Sequence, residues 1–130
     1  MAETNGILWL KLDTHSKKVL LEACPQRYEQ LFCDHVTLRY DVPRAEVEGW
    51  IGTQTEVVAY EHCWNSNTQA VRVDSLELPN QYGVPHVTIS TTAGTKPFTS
   101  VTMLQTGNCQ RQPIDRLVLS GVIQFVSLES

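Results

Sequence analysis

The sequence predicts an α+β domain dominated by strands, with two or three short helices. Three observations predict it. Apolar and polar residues alternate in short runs such as 35–41, HVTLRYD, and 86–91, HVTIST, the period of a strand with one buried face. Those runs are punctuated by Pro, Gly, Asn and Asp, the residues of turns. Helix-like segments are few and short, the clearest being THSKKVLLEACP from Thr14 to Pro25.

A chain of 130 residues makes one domain, 1–130, and at 42% hydrophobic content it can build a core without a disulfide or metal. The formal net charge of −4 argues against wrapping duplex DNA, where Lys and Arg supply most of the affinity. It leaves room for a pocket that takes one nucleotide end. Cys24, Cys33, Cys63 and Cys109 form no CxxC pair and no dense disulfide framework. No basic leader precedes an apolar run, and no stretch approaches the ~20 apolar residues of a membrane helix. The expectation is a cytoplasmic or nuclear protein with reduced thiols and no membrane partner.

The elements follow in order. GILWLKL at 6–12 reads as a first strand. The helix after it would be capped by Thr14 or Ser16 and stopped by Pro25, with a second helical piece at 26–31. HVTLRYD forms a strand broken by Pro43, and 44–51 makes one or two helical turns weakened by Gly49. Residues 53–63 and 69–74 read as strands joined by the polar turn NSNT. LPNQYGVP at 78–85 is a loop, and HVTIST follows as a strand. A helical turn is expected near 99–104, then a long strand at 116–128 with Gly121 as a bulge or bend.

One tripeptide occurs twice: His35-Val36-Thr37 and His86-Val87-Thr88. In a strand, residues i and i+2 share a face. His35, Thr37 and Arg39 therefore face one way, while Val36 and Leu38 face the core. The second copy sets His86, Thr88 and Ser90 against Val87 and Ile89. Hydrolysis of a phosphodiester needs a base for water and an acid for the leaving oxygen. Histidine serves both because its unperturbed pKa lies near 6.5. Threonine hydroxyls can donate to the non-bridging phosphate oxygens. Such chemistry requires no metal and no cofactor.

Paired His-hydrophobic-Thr motifs in a compact α+β domain resemble the 2H phosphoesterase superfamily. The resemblance is closest to the cyclic phosphodiesterase domain of fungal and plant-type tRNA ligases and its small Swiss-army-knife RNA-repair relatives. It extends over ILWLKL, HVTLRY, VVAY…QAVRV, the proline-preceded PHVTIS and GTKPFTS, in that order. It implies a compact two-lobed fold of mostly antiparallel strands, with one motif from each side of a cleft. It implies His35 and His86 as the catalytic pair and Thr37 and Thr88 as phosphate ligands. The substrate would be a 2′,3′-cyclic phosphate at an RNA 3′ end, or a small cyclic or related nucleotide. Lys96 could reach the phosphate, and Tyr82, in the loop before His86, could stack on a base. The two motifs lie closer together than in the larger bacterial ligase-type members, which leaves less room for substrate-selecting loops.

Other constellations point to blander roles. Cys33, His35, His62 and Cys63 suggest zinc by residue type, but adjacent His62 and Cys63 would point to opposite faces of a strand. Trp9 reads as core, Arg39 as a surface cation, and His62 as a strand residue on a wet face. Gly94-Thr95-Lys96-Pro97 lacks the Walker pattern. The alternative to an enzyme is a non-catalytic module that binds a nucleotide or RNA end on the same fold.

Overall fold

In chain order the elements are β1 (Asn5–Leu12), α1 (Thr14–Ala23), β2 (Gln30–Leu31), β3 (His35–Pro43), α2 (Arg44–Val47), β4 (Gln54–Trp64), β5 (Thr68–Asp74), β6 (His86–Thr91), α3 (Thr99–Thr106) and β7 (Gln110–Ser127). A computed structural model describes residues 5–74 and 84–128. The strand order is β2-β6-β3-β1-β7-β4-β5, every pairing is antiparallel, and β5 also pairs with β6. That last pairing closes the sheet into a barrel. The two strand-rich lobes expected from the sequence are therefore one continuous closed sheet. The cause is local: β5 has a second partner, with Val71 opposite Val87 and Arg72 opposite His86.

Alternation fills the barrel. β1 buries Leu8, Leu10 and Leu12, and sends Ile7, Trp9 and Lys11 outward. β3 adds Val36 and Leu38, β5 adds Val71 and Val73, and β7 adds Leu119 and Ile123, all in one cluster with Leu20 of α1 and Cys24, which caps that helix. Barrels this small are filled by side chains, so ligand chemistry belongs on the outer face or at an end. A smaller cluster of Cys63, Ala70, Met103 and Leu104 seats α3 outside β5.

Several local expectations are corrected. The cap of α1 is Asp13, whose carboxylate accepts from the Ser16 amide at 2.7 Å and from the Ser120 hydroxyl at 2.8 Å. Residues 26–29 are not helical, and β2 follows them at 30–31. Their amides are taken elsewhere: Arg27 donates to Gln69 Oε1 at 3.0 Å and Tyr28 to Ser90 Oγ at 3.2 Å. β7 starts at Gln110, earlier than expected, because its polar first half pairs with β4 and lies exposed. Such a stretch tolerates Pro113, as sheet edges do.

Gly121 is not a bulge. The ladders run through it in register, opposite Leu12 on one side and Thr55 on the other. A Cβ there would stand 1.9 Å from the Lys11 carbonyl oxygen, so glycine permits the close approach of β1 and β7. The NSNT turn forms as expected, with Asn65 Oδ1 accepting from the amides of Asn67 and Thr68 at 3.0 and 2.9 Å.

Candidate active site

The two tripeptides lie on adjacent strands. Val36 stands opposite Val87, the one register pair between β3 and β6. Both valines point into the core and are wholly buried. Antiparallel pairing about this point sets Thr37 on the His86 side and His35 on the Thr88 side. Two identical tripeptides thus cross head to tail, with all four functional side chains outward. His35, Thr37, His86 and Thr88 line one cleft of about 390 Å³ on the outer face.

Its walls are apolar: Trp9 from β1, Phe32 from the β2–β3 connection, Tyr40 from β3, and Pro97 and Phe98 from the segment before α3. Among the described residues lining it there is no lysine or arginine. Trp9 is therefore a cleft residue and not core. Its indole lies 4.1 Å from the His35 ring, centroid to centroid, and its Nε1 donates to Gln124 Oε1 at 3.3 Å.

His35 follows a kink. Cys33 has a φ of 51°, and β2 and β3 meet β6 in different registers on either side of it. Asp34 projects beside the imidazole, its Oδ2 3.7 Å from His35 Nδ1, an ion-pair separation too long for a hydrogen bond. Lys11 bonds the other carboxylate oxygen. Burial pushes the His35 pKa below its usual value, and Asp34 works against that. Burial alone would raise the Asp34 carboxyl, but the Lys11 bond and charge bring it below the usual carboxylate range.

His86 is held more firmly. Its Nδ1 lies 2.6 Å from the Val84 carbonyl oxygen, which can only accept, so Nδ1 carries the proton. In the neutral ring Nε2 is then the bare nitrogen, and it meets Ser100 Oγ at 3.0 Å. Ser100 Oγ also lies 2.7 Å from Thr88 Oγ1 and 2.7 Å from the Pro97 carbonyl oxygen. Burial lowers the His86 pKa, opposed by the Val84 bond.

The other candidates separate from this group. Arg39 points away to Glu46, 3.3 Å distant. Lys96 is exposed and does not line the cleft, although Pro97 and Phe98 beside it do. Tyr82 lies outside the described residues. Ser90 turns from the His86 face because a register shift falls between the Thr88 and Ser90 pairings with β5. Its hydroxyl donates to Gln69 Oε1 at 2.6 Å. His62 is not on a wet face; it is 7% exposed and meets Gln69 Nε2 at 3.0 Å. Cys33 packs in the barrel core and Cys63 under α3, so the residues considered for zinc are dispersed. Among the described residues no group of three or more His, Cys, Asp or Glu is placed to hold a metal ion.

Asp34 and Ser100 were missed by sequence reasoning. Asp34 directly precedes the first motif and was readable as a neighbour. Ser100 was not, because only the fold returns α3 to β6. No protein-family model matches the chain, and no curated protein matches it.

Proposed function

We propose that this chain is a metal-independent phosphoesterase of the 2H type that hydrolyses a 2′,3′-cyclic phosphate, or a related phosphodiester, of RNA ends or nucleotides. The observation that carries the reading is the convergence of both imidazoles and both threonines on one cleft. In the proposed step a water oxygen attacks phosphorus and passes its proton to one histidine. The bond from phosphorus to a ribose oxygen breaks, and the other histidine protonates that oxygen. Thr37 and Thr88 hold the non-bridging oxygens. The aromatic walls suit a ligand with a flat base attached to the phosphate.

The test is hydrolysis of the four nucleoside 2′,3′-cyclic monophosphates in EDTA, beside the single variants His35→Ala and His86→Ala. Turnover is expected from the wild type. Each variant should lose about 10²–10⁴-fold, the usual contribution of a general acid or base. Turnover that survives both substitutions would overturn the assignment.

A non-catalytic module for nucleotide or RNA ends is the second reading. Two observations favour it: the lack of lysine or arginine among the described cleft residues, and the Ser100 hydroxyl already on His86 Nε2. It predicts saturable binding of a cyclic nucleotide with no turnover in the wild type.

A further inference from the structure

We propose that Ser100 is a positioning residue that serves both protonation states of His86 by rotating its hydroxyl between two fixed partners. The inference rests on His86 being an acid–base residue, as in the function proposed above, and concerns the ligand-free site, before Thr88 turns to a phosphate oxygen and Nε2 to the reacting oxygen. Ser100 Oγ has one hydrogen and lies within bonding distance of His86 Nε2, Thr88 Oγ1 and the Pro97 carbonyl oxygen. Val84 holds a proton on Nδ1 in either state.

When His86 is neutral, Nε2 needs a donor. The Ser100 hydrogen turns to it, and Thr88 donates to Ser100 Oγ. The chain of donors then runs Thr88 to Ser100 to His86 to Val84, with every hydrogen used. When His86 takes a proton, Nε2 becomes a donor. Ser100 Oγ accepts it and sends its own hydrogen to the Pro97 carbonyl. Neither state leaves a buried polar group unpaired, which would otherwise cost free energy. No backbone movement is needed, because the Pro97 oxygen is already 2.7 Å away.

The site is built for this. Ser100 is wholly buried in the first turn of α3, and its amide also donates to the Pro97 oxygen at 3.1 Å. Its rotor therefore turns in a fixed cage. α3 itself carries no ionisable residue that could stand in for it. The ionisable groups on the elements around His86 are Arg72, opposite it and paired with Glu61, and Asp74 on β5; His35, Arg39 (paired with Glu46), Tyr40 and Asp41 on β3, with Asp34 just before it; and Lys96 before α3. The substitutions below leave all of them in place.

The sign of the effect follows from bond strengths. A hydrogen bond with a charged partner is roughly twice as strong as a neutral one. Removing the hydroxyl therefore costs the imidazolium more than the neutral ring. Ser100→Ala should lower the His86 titration midpoint by roughly half to one pH unit.

The experiment is ¹⁵N NMR of histidine-labelled protein across pH, for wild type, Ser100→Ala and Ser100→Thr. It reads His86 directly and needs no turnover, so it can fail or succeed apart from the cyclic-phosphate assay. In the wild type at high pH, Nδ1 should give a protonated-nitrogen shift and Nε2 a bare-nitrogen shift. Ser100→Ala should lower the midpoint, and Ser100→Thr, which keeps the hydroxyl, should restore it. A neutral wild-type ring protonated at Nε2 would overturn the proposal without any variant. So would an unchanged or raised midpoint in Ser100→Ala, or an equal fall in Ser100→Thr.

Discussion

Two histidines with the same tripeptide around them end in different surroundings. His86 is anchored through Nδ1 by a main-chain carbonyl, which fixes its ring and tautomer. His35 is held by a ring stack with Trp9 and by the charge of Asp34. The difference is testable at one atom. Asp34→Asn removes a negative charge that favours the imidazolium, so the His35 midpoint should fall, while His86, tied to Val84, should barely move. Equal movement of both, or none, would mean that Asp34 does not act on His35. The repeated HVT and its alternation were enough to put each His–Thr pair on one face of its own strand, because period two leaves no choice of face once one side is buried; that the two strands adjoin came from the fold. Trp9 misled for the same reason: an aromatic in an apolar run reads as core, yet it is an odd member of an alternating strand whose even members fill the barrel.

The legible elements were those whose own residues determine them. β3 and β6 came from alternation, β1 and β5 from runs of strand-forming residues, and the turn at Asn65–Asn67 from side-chain chemistry. The illegible ones depend on partners distant in sequence. Residues 26–29 stay out of a helix because Gln69 and Ser90 take their amides. The first half of β7 is a strand because β4 is long enough to pair with it. Gly121 reads alone as a defect, but its role is the near contact with the Lys11 carbonyl. Gly121→Ala should accordingly push β1 and β7 apart and cost roughly 1–3 kcal/mol or more in urea unfolding. Gly49→Ala is the matched control, since nothing lies within 4 Å of a Cβ there. If the two variants proved equally stable, the close-approach account of Gly121 would be wrong.

Across the whole molecule, acid should act through buried imidazoles before it acts through carboxylates. Burial lowers the pKa of His35, His62 and His86. The unfolded chain then binds more protons than the folded one in the window below about pH 6.5. Stability from these groups is full above that value and is lost as pH falls through their lower folded values. The urea midpoint should therefore drop between pH 7 and pH 5, and His86→Gln, which does not titrate, should flatten the slope. A midpoint constant over that range would contradict the burial of these rings. No helix among the described residues is long and apolar enough to cross a membrane.

The strands form a closed ring, but one joint in it is slight. β3 and β6 share only the Val36–Val87 pair, continued along β6 by the Phe32 and Cys33 amides on the Ile89 and Thr88 carbonyls at 2.8 Å, whereas β7 runs alongside β4 for most of its length. The cleft sits over that joint. Parting it would widen the outer face while the ladders of β1, β4 and β7 stayed whole. In deuterium oxide, amides around 34–37 and 86–88 should exchange well before those of β1 and the second half of β7. Breathing at this joint would admit a bulky ligand to the imidazoles without unfolding the chain that carries them.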